Sequence, residues 1–446
     1  MNKETHVAIV GGGLVGCLMA LYLKKRGYTV SIFERRADPR SAKIDHGRSI
    51  NLALSNRGIK SLEQVGLGDI VRDAAIRMDG RQMHDIYGNL TFQPYGKEGE
   101  YINSISRGDL NKALIFEAEE KGVKFYFDHR CTHVDLSNTE LTFHSENATI
   151  NEKFDVVLGA DGAFSVMRMA MQMTDRFNYT QDYIDHGYKE FHIPPTHDGE
   201  PPIQRHALHI WPRESFMLIA LPNPDNSFTG TLFFPFHGNP SFDSLNDADD
   251  FKAFFKRSFP DVADLIPDLR YQSEYNPTSS LITVNCYPWH RNKTMLLGDA
   301  CHAIVPFYGQ GMNAGFEDCR ILNSLLNEYD DDWDAVMPAF QKLRKPDTDA
   351  ISRLALENFI EMRDLVGDAE FLLRKKIEAK IHQLYPKQWV PLYSMVTFHD
   401  DISYSEALTT GIKQKRIMDE VMKTPNIETT WQSLDFQQIL HRMTGD

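Results

Sequence analysis

Apolar residues at the start of the chain follow two different periods, separated by glycines. His6–Val10 is a short apolar run, and Leu14–Lys25 has apolar residues at the three- and four-residue spacing of a helix. Residues 11–16 between them are rich in glycine, and residues 28–33 alternate apolar and polar side chains. This order predicts a strand, a tight turn, a helix and a second strand, which together form a βαβ unit.

Three later segments repeat the pattern of an apolar strand followed by a turn. They lie far apart in the chain, at residues 123–127, 154–162 and 294–299. Strands dispersed this widely predict one Rossmann-like nucleotide-binding domain that is assembled from separate pieces of chain. We assign to this domain residues 1–75, 102–175 and 281–340.

The middle of the chain has a different pattern. Its apolar runs are short, aromatic and β-branched, with proline and glycine between them, at residues 206–211, 216–221 and 227–234. Such runs predict an antiparallel sheet. We assign this second domain, expected to bind the substrate, to residues 76–101 and 176–280.

The last third of the chain has helical spacing. The helical pattern runs through residues 335–343, 347–365 and 371–384. A C-terminal helical region is therefore expected over residues 341–446. The predicted fold is mixed α/β, with a Rossmann-like domain, an antiparallel-sheet domain and C-terminal helices.

Charge and cysteine content narrow the classes of function. The 446 residues carry a formal net charge of −14, which argues against a nucleic acid or an anionic membrane as partner. Five cysteines, none in a CxxC pair, indicate neither a disulfide framework nor a metal site. The start of the chain lacks a signal-peptide pattern, residues 412–422 are amphipathic, and residues 431–446 are too short and polar to span a membrane. We expect a cytoplasmic protein without a membrane span; the sequence does not predict an oligomeric state.

The glycine-rich turn is the first motif that carries chemistry. Gly11, Gly13 and Gly16 form GxGxxG after a strand and at the start of a helix, with Val15 inside the motif. These glycines allow a diphosphate to approach backbone N–H groups closely. Glu34 ends the second strand, where an acid binds the ribose hydroxyls of FAD or NAD. The following arginines, Arg35 first, could instead meet a 2′-phosphate.

Two further motifs distinguish FAD from NAD. One is Gly-Ala-Asp-Gly at residues 159–162, which contains Asp161 and Gly162. The other is Gly-Asp-Ala-Cys-His-Ala at residues 298–303, followed by Gly-Gln-Gly-Met-Asn at residues 309–313. In this order, the three motifs resemble those of the flavin-dependent aromatic hydroxylases, whose fold is that of 4-hydroxybenzoate hydroxylase. The resemblance implies bound FAD, with Asp299 at its ribityl or ribose part. It also implies that Gly311, Met312 and Asn313 lie near its ring and diphosphate.

Within these hydroxylases, the chain is most similar to kynurenine 3-monooxygenases. Arg81 and Tyr95 match positions at which that family binds the amino-acid carboxylate of kynurenine. The resemblance implies five more residues in the substrate pocket: Asn358, Glu361, Tyr393, Phe307 and Tyr308. Some relatives have histidine in place of Tyr308. A guanidinium suits a carboxylate, and Asn358 and Glu361 are about one helical turn apart, so both can face one pocket.

The same resemblance concerns four residues near the flavin. Arg107 matches an arginine near the flavin phosphates, and Ala53 lies in a segment that passes the flavin ring. His302 is expected to be structural, and Cys301 is expected to pack rather than react. No side-chain nucleophile and no metal are expected to take part in the chemistry.

The resemblance also implies a reaction. NADPH reduces the flavin, O2 adds to give a flavin hydroperoxide, and the ring of L-kynurenine is hydroxylated to 3-hydroxy-L-kynurenine in tryptophan degradation. The absence of a second GxGxxG after a strand predicts that NADPH docks without a nucleotide domain of its own. Whether NADH can replace NADPH, and whether the C-terminal helices move as a lid, is not predicted.

Three alternatives remain open at the level of the sequence. The first is an FAD monooxygenase acting on another aromatic substrate, such as a phenol or a quinolone. The second is a flavoprotein that oxidises or binds a protein partner, and the third is a reductase or halogenase on the same fold. The substrate residues discriminate the first, since such an enzyme need not have the set around Arg81 and Tyr95. Accessory interaction domains would favour the second, and a tryptophan-rich motif the third.

Overall fold

The fold is described from a computed structural model of the chain. It describes residues 4–41, 51–97, 99–146, 148–365 and 368–444. Residues 42–50 of the predicted nucleotide-binding domain and the end of the predicted polar tail, at 445–446, lie outside the described residues.

Nineteen strands are found in the described residues. In chain order they are β1 His6–Val10, β2 Thr29–Phe33, β3 Asn51–Leu54, β4 Ile76–Met78, β5 Gly80–His84, β6 Leu90–Pro94, β7 Ile102–Ser106, β8 Lys124–Tyr126, β9 Arg130–Asp135, β10 Glu140–His144, β11 Thr149–Lys153, β12 Val156–Gly159, β13 Asn178–Ile193, β14 Ala207–Arg213, β15 Phe216–Pro222, β16 Phe228–Pro235, β17 Thr278–Tyr287, β18 His290–Arg291 and β19 Thr294–Leu296.

Fifteen α-helices accompany these strands within the described ranges. They are α1 Leu14–Lys25, α2 Asn56–Glu63, α3 Gly68–Ala74, α4 Arg107–Glu120, α5 Val166–Gln172, α6 Ala248–Ser258, α7 Leu269–Tyr275, α8 Asp299–His302, α9 Gly311–Glu328, α10 Trp333–Ile360, α11 Ala369–Leu384, α12 Leu392–Thr397, α13 Tyr404–Val421, α14 Ile427–Thr430 and α15 Phe436–Thr444.

The predicted βαβ unit forms the centre of a six-stranded sheet. The strand order is β18-β19-β12-β1-β2-β8, and all neighbours are parallel except β18 and β19. Val7 pairs with Val30 on one side and with Val156 on the other. These strands are buried on both faces, which is why they read as continuous apolar runs. The predicted Rossmann-like fold is confirmed.

A seven-stranded sheet forms the second layer of the molecule. Its order is β17-β13-β16-β15-β14-β5-β6, with a parallel pair only at β14 and β5. One face packs against α6 through a phenylalanine-rich core, and the other faces α10 and α12. The three predicted strands at 206–234 are confirmed as β14, β15 and β16. The predicted boundary at residue 280 falls inside β17, and β4 pairs with β7 in a separate three-stranded sheet.

The helical pattern predicted at residues 335–343 and 347–365 is confirmed as far as residue 360, and the two segments are continuous. One helix, α10, runs from Trp333 to Ile360 with Pro338 and Pro346 inside it, and a π-helical turn follows over Glu361–Leu365. A proline normally ends a helix because it lacks an N–H donor. Here Arg344, just before Pro346, is held by Asp318 at 2.8 Å, and this tertiary contact outweighs the local preference.

Candidate active site

The turn after β1 leaves no room for side chains at two of its positions. Gly11 has a φ of +109°, and a Cβ there would lie 2.3 Å from the carbonyl oxygen of Ala160. A Cβ on Gly16 would lie 2.1 Å from the carbonyl oxygen of Gly11. Gly13 differs, because beyond its chain neighbours no described atom lies within 4 Å of its Cβ position. This open side at the N-terminus of α1 suits a diphosphate.

Glu34 lies beside the turn. Its Oε2 accepts a hydrogen bond of 2.9 Å from the N–H of Gly12, and its Oε1 accepts one of 2.9 Å from the N–H of Arg36. These bonds hold the carboxylate at the end of β2, where a dinucleotide places its ribose. Arg35 is exposed at the same strand end.

Asp161 has one carboxylate oxygen engaged and one buried without a partner. Oδ2 accepts from the N–H groups of Val166, at 2.7 Å, and Met167, at 3.2 Å, in the first turn of α5. Oδ1 is buried and lacks a hydrogen-bond partner among the described residues. Burial raises the pKa of this carboxyl group. Gly162 follows with a φ of +81° and no described atom near its Cβ position apart from its chain neighbours.

The third motif brings two helix starts next to α1. Asp299 is exposed in the first turn of α8, and Gly311 and Met312 are half-buried at the start of α9. Val15 packs closely against α9, since a Cβ on Gly315 would lie 2.6 Å from its Cγ2. The residues of the three motifs that are predicted to bind FAD therefore lie close together, near the starts of α1, α5, α8 and α9.

Asn313 ties the segment containing Ala53 to the start of α9. Its Nδ2 donates to the carbonyl oxygens of Ala53 and Gly309, both at 2.8 Å. Its Oδ1 accepts from the N–H of Ser55 at 3.0 Å. The side chain of this predicted cofactor residue is thus fully used in holding β3 against α9, and it fixes the position of Ala53.

Arg107 lies exposed at the first position of α4. Arg107 interacts electrostatically with Glu190 on β13. Burial raises the pKa of Glu190 to about 7, and Arg107 opposes this rise. One oxygen of Glu190, Oε1, is buried without a hydrogen-bond partner in the described parts of the chain.

These features fit an FAD. The turn offers backbone N–H groups with open space at Gly13, and Asp161 presents an unpartnered oxygen to a hydroxyl donor. Glu34 is placed for a ribose, and Arg107 supplies a positive charge. Such a set of donors and acceptors matches a dinucleotide with a free ribose.

The residues predicted for the substrate converge from different elements. The guanidinium carbon of Arg81, on β5, lies 4.4 Å from the ring centre of Tyr393 and 5.7 Å from that of Tyr95. Arg81 Nε and the hydroxyl of Tyr95 are buried without a hydrogen-bond partner in the described part of the chain. Although burial opposes it, Tyr393, Tyr95 and Glu361 raise the pKa of Arg81. A charged guanidinium therefore lies beside two tyrosine rings, and Arg81 Nε and the Tyr95 hydroxyl each have no acceptor among the described residues.

Aromatic rings form the wall beside this pair. Tyr393 lies between Tyr95 and Tyr308, with ring centres 5.8 and 5.4 Å away. Burial, with contributions from Glu361 and Tyr393, raises the pKa of Tyr308 well above its ordinary value, so its hydroxyl keeps its proton. Phe307 stacks on Phe359 of α10 with ring centres 4.2 Å apart.

Asn358 and Glu361 lie at the end of α10. Asn358 is buried, and its Nδ2 donates to the carbonyl oxygen of Phe307 at 2.7 Å. Glu361 begins the π-helical turn, and its carboxylate lies 3.6 Å from the ammonium of Lys375. Its charge also raises the pKa of Arg81. Asn358 therefore fixes the backbone at Phe307, while Glu361 is half-buried.

Sequence reasoning did not single out the sheet residues that pack beside these aromatic side chains. Met83 and Phe233 pack in the same core as Phe307 and Tyr308, and Ile219 packs against it. Ile219 also packs against the cluster that contains Tyr95. They project from one face of the seven-stranded sheet, so the alternation within each predicted strand was the available signal. Which strand face meets α10 could not be known without the topology.

A family model and curated sequences match the chain over most of its length. The family described as FAD binding domain matches residues 4–333. Kynurenine 3-monooxygenase of Christiangramia forsetii is 49% identical over 441 residues, which cover 98% of this chain and 98% of that protein. The enzyme of the same name from Flavobacterium johnsoniae is 50% identical over 97% of both chains. That of Candida albicans is 43% identical over 94% of both.

Solved structures share the fold at low sequence identity. The tetrameric form of 2-methyl-3-hydroxypyridine-5-carboxylic acid oxygenase has a TM-score of 0.68 and 19% identity, over 82% of this chain and 94% of that one. Pseudomonas aeruginosa PqsL, solved in complex with 2-aminobenzoylacetate, has a TM-score of 0.66 and 18% identity, over 80% and 99%. These structures support the architecture, while the sequence relatives define the family.

Proposed function

The chain belongs to the kynurenine 3-monooxygenase family, and from this premise we propose that it converts L-kynurenine to 3-hydroxy-L-kynurenine with NADPH and O2. One oxygen atom enters the aromatic ring and the other leaves as water, while NADPH supplies the two electrons. The observation that carries the proposal is the pair of unpartnered donors, Arg81 Nε and the Tyr95 hydroxyl, buried beside Tyr393.

In this proposal, Arg81 and Tyr95 bind the carboxylate of the amino acid. A guanidinium can donate two parallel hydrogen bonds to a carboxylate, and its raised pKa keeps it charged over the whole working range. Tyr393 covers the guanidinium and orients it. Binding of this end fixes where the aromatic end of the substrate lies.

The aromatic end would lie among the apolar residues between the sheet and α10. Phe307 packs between Phe233 and Phe359, whose ring centres lie 4.9 Å and 4.2 Å from its own. Such packing excludes water, which otherwise diverts activated oxygen into hydrogen peroxide. FAD, held by the glycine turn, Glu34, Asp161, Asp299 and Arg107, would supply the electron transfer and the oxygen activation.

We also propose a cytoplasmic location. All five cysteines are unpaired and buried, as expected in a reducing compartment. Among the described residues, no helix is long and apolar enough to cross a membrane.

The decisive experiment measures NADPH oxidation by the purified protein with and without L-kynurenine, and identifies the product by mass. We expect strong stimulation and a product that is heavier by one oxygen atom. Stimulation that yields only hydrogen peroxide would make L-kynurenine an effector rather than the substrate. A yellow protein that does not respond to L-kynurenine would direct the search to other aromatic compounds.

A further inference from the structure

The helix α2 holds the end of α12 and the residues directly after it. Asn56 Nδ2 donates to the carbonyl oxygen of Phe398 at 2.8 Å. Arg57 Nε donates to the carbonyl oxygen of Val396 at 3.1 Å, and its Nη2 donates to that of His399 at 3.0 Å. Arg57 Nη2 also donates to the carbonyl oxygen of Ile402, and Lys60 pairs with the carboxylate of Asp400. One turn of helix thus holds a stretch of seven residues, 396–402, mainly by its backbone.

The same helix begins at the strand that is expected to pass the flavin. Ser55, directly before α2, donates its N–H to Asn313, which also holds the carbonyl oxygen of Ala53. The helix α2 and the start of α9 are closely packed here, because a Cβ on Gly58 would lie 2.4 Å from Asn313 Oδ1. The start of α2 is therefore fixed relative to β3 and to the start of α9.

The segment 396–402 begins inside α12, and α12 carries Tyr393, which is proposed to line the substrate site. Tyr393 is the second residue of α12 and lies 4.4 Å from the Arg81 guanidinium carbon. On its other side α12 packs against α13, where a Cβ on Gly411 would lie 2.9 Å from Leu392. A displacement of residues 396–402 would move α12 and separate Tyr393 from Arg81.

Arg57 is suited to this task because it is buried and held at every donor group. Its side chain is 1% exposed, Nη1 lies 2.9 Å from Glu317 on α9, and the guanidinium carbon lies 4.1 Å from the ring centre of Tyr404. A guanidinium held by a carboxylate, carbonyl oxygens and an aromatic face has one allowed position. The Lys60 pair is partly exposed and contributes little by comparison.

We propose that Asn56 and Arg57 are positioning residues, which hold Tyr393 against Arg81 and couple the flavin-side strand β3 to the substrate pocket. Neither residue needs to touch the substrate. This inference rests on the proposed function for its kinetic part, while its structural part can be tested independently.

The test compares Asn56→Ala with the wild type and with Asn276→Ala. Asn276 is a matched control, since its Nδ2 also donates to a backbone carbonyl oxygen, that of Glu190, at 2.7 Å, in the seven-stranded sheet. Loss of one such bond corresponds to roughly a three- to tenfold effect. We expect Asn56→Ala to raise KM for L-kynurenine by about this factor, with a larger share of NADPH ending as hydrogen peroxide. FAD content and Tm should match those of the control.

Arg57→Lys provides the stronger variant, because lysine keeps the charge but cannot reach all the partners. Its KM effect should exceed that of Asn56→Ala; should it fail to fold, Asn56→Ala decides the question. Hydrogen exchange at residues 392–402, measured without substrate, supplies a readout besides activity. We expect exchange to become several-fold faster in both variants and to stay unchanged in the control.

Two results would overturn the inference. The first is unchanged exchange at 392–402, which would mean that α2 does not hold the segment. The second is faster exchange with the wild-type KM and peroxide yield, which would mean that the grip has no role in positioning Tyr393. If the wild type does not turn over L-kynurenine but the two variants still exchange faster at residues 392–402, the proposed function is rejected and the structural role of α2 is kept.

Discussion

Arg81 and Tyr95 each have a buried donor that a carboxylate ligand would satisfy. A buried donor without an acceptor costs about 1–3 kcal/mol, and both Arg81 Nε and the Tyr95 hydroxyl are in this state in the described part of the chain. A carboxylate placed between them would satisfy both donors at once. The guanidinium is already covered by Tyr393, so it loses little freedom when the ligand binds.

The first prediction concerns this carboxylate contact. Arg81→Ala should raise KM for L-kynurenine by about 100-fold, since a charged hydrogen bond to a carboxylate contributes roughly 1.5–3 kcal/mol. FAD content should not change. The control is Arg77→Ala, which removes an exposed arginine of β4 beside Asp79. Steady-state kinetics decide the matter, and an unchanged KM in Arg81→Ala would remove this residue from the substrate site.

A second prediction concerns Glu190. Burial raises its pKa from the ordinary 4.5 to about 7, with Arg107 opposing. The folded protein therefore binds a proton that the unfolded chain has lost, and this contribution to stability is complete below pH 4.5 and disappears as the pH rises to about 7. Glu190→Gln should raise Tm relative to the wild type at pH 8 but not at pH 4.5. Melting curves across this range, with the exposed Glu200→Gln as control, measure the difference. A constant offset in Tm at both pH values would contradict it.

At the scale of elements, the glycines of the turn before α1 and of its first residues differ in why they are needed. Some are required by contacts within the protein, and one is not. Gly11 and Gly16 are required by protein contacts, because a Cβ at either would overlap a backbone oxygen. Gly13 has a φ of −77°, which any residue adopts, and no described neighbour near its Cβ position beyond adjacent residues. We propose that glycine is needed at this position because the FAD diphosphate comes close to it.

The third prediction uses this difference. Gly13→Ala should fold with a wild-type Tm in the absence of cofactor but bind FAD at least about tenfold more weakly, because its methyl group meets the diphosphate. Gly16→Ala should lower Tm itself. Flavin fluorescence titration of the cofactor-free proteins measures affinity. Wild-type FAD affinity in Gly13→Ala would place the diphosphate elsewhere.

The elements that could be predicted from the sequence are those whose signal is local. Residues 14–25 have helical spacing directly after a glycine turn, and the structure has α1 at these residues. That residues 335–343 and 347–360 form one continuous helix through Pro346 was not encoded locally, because Arg344 is held there by Asp318 of α9, which is distant in sequence. For the site, the motifs and the resemblance indicated candidate residues for the cofactor and for the substrate. The sheet register that puts Arg81 opposite Leu208, and the grip of α2 on residues 396–402, depend on pairings that no local pattern encodes.

At the scale of the whole molecule, a buried ionic network joins the nucleotide-binding part to the C-terminal helices. Arg344 of α10 contacts Glu317 at 3.0 Å and Asp318 at 2.8 Å, both on α9. Asp318 also binds His302 of the third motif at 2.5 Å, and Glu317 binds Arg57. Burial alone would raise the pKa of Asp318, but His302 and Arg344 lower it. Removal of any one of these side chains would therefore leave a buried charge with less compensation. The network fixes α9, α10 and α2 relative to one another.

The last prediction tests this dependence. Arg344→Met keeps the length of the side chain but leaves two buried carboxylates with less compensation, which should cost about 3–5 kcal/mol of stability. Because Arg344 lowers the pKa values of Glu317 and Asp318, both carboxylates are ionised at neutral pH in the wild type, and their stabilisation is lost as the pH falls through those lowered values. The variant should therefore lose most stability at neutral pH, and its deficit should shrink as the solution is acidified. Denaturant unfolding at several pH values measures this, with Arg353→Ala as control, since that arginine forms an exposed pair with Glu357 on the same helix and should cost less than about 1 kcal/mol. A deficit that is equal at every pH would mean that Arg344 stabilises α10 by packing, and not by its charge.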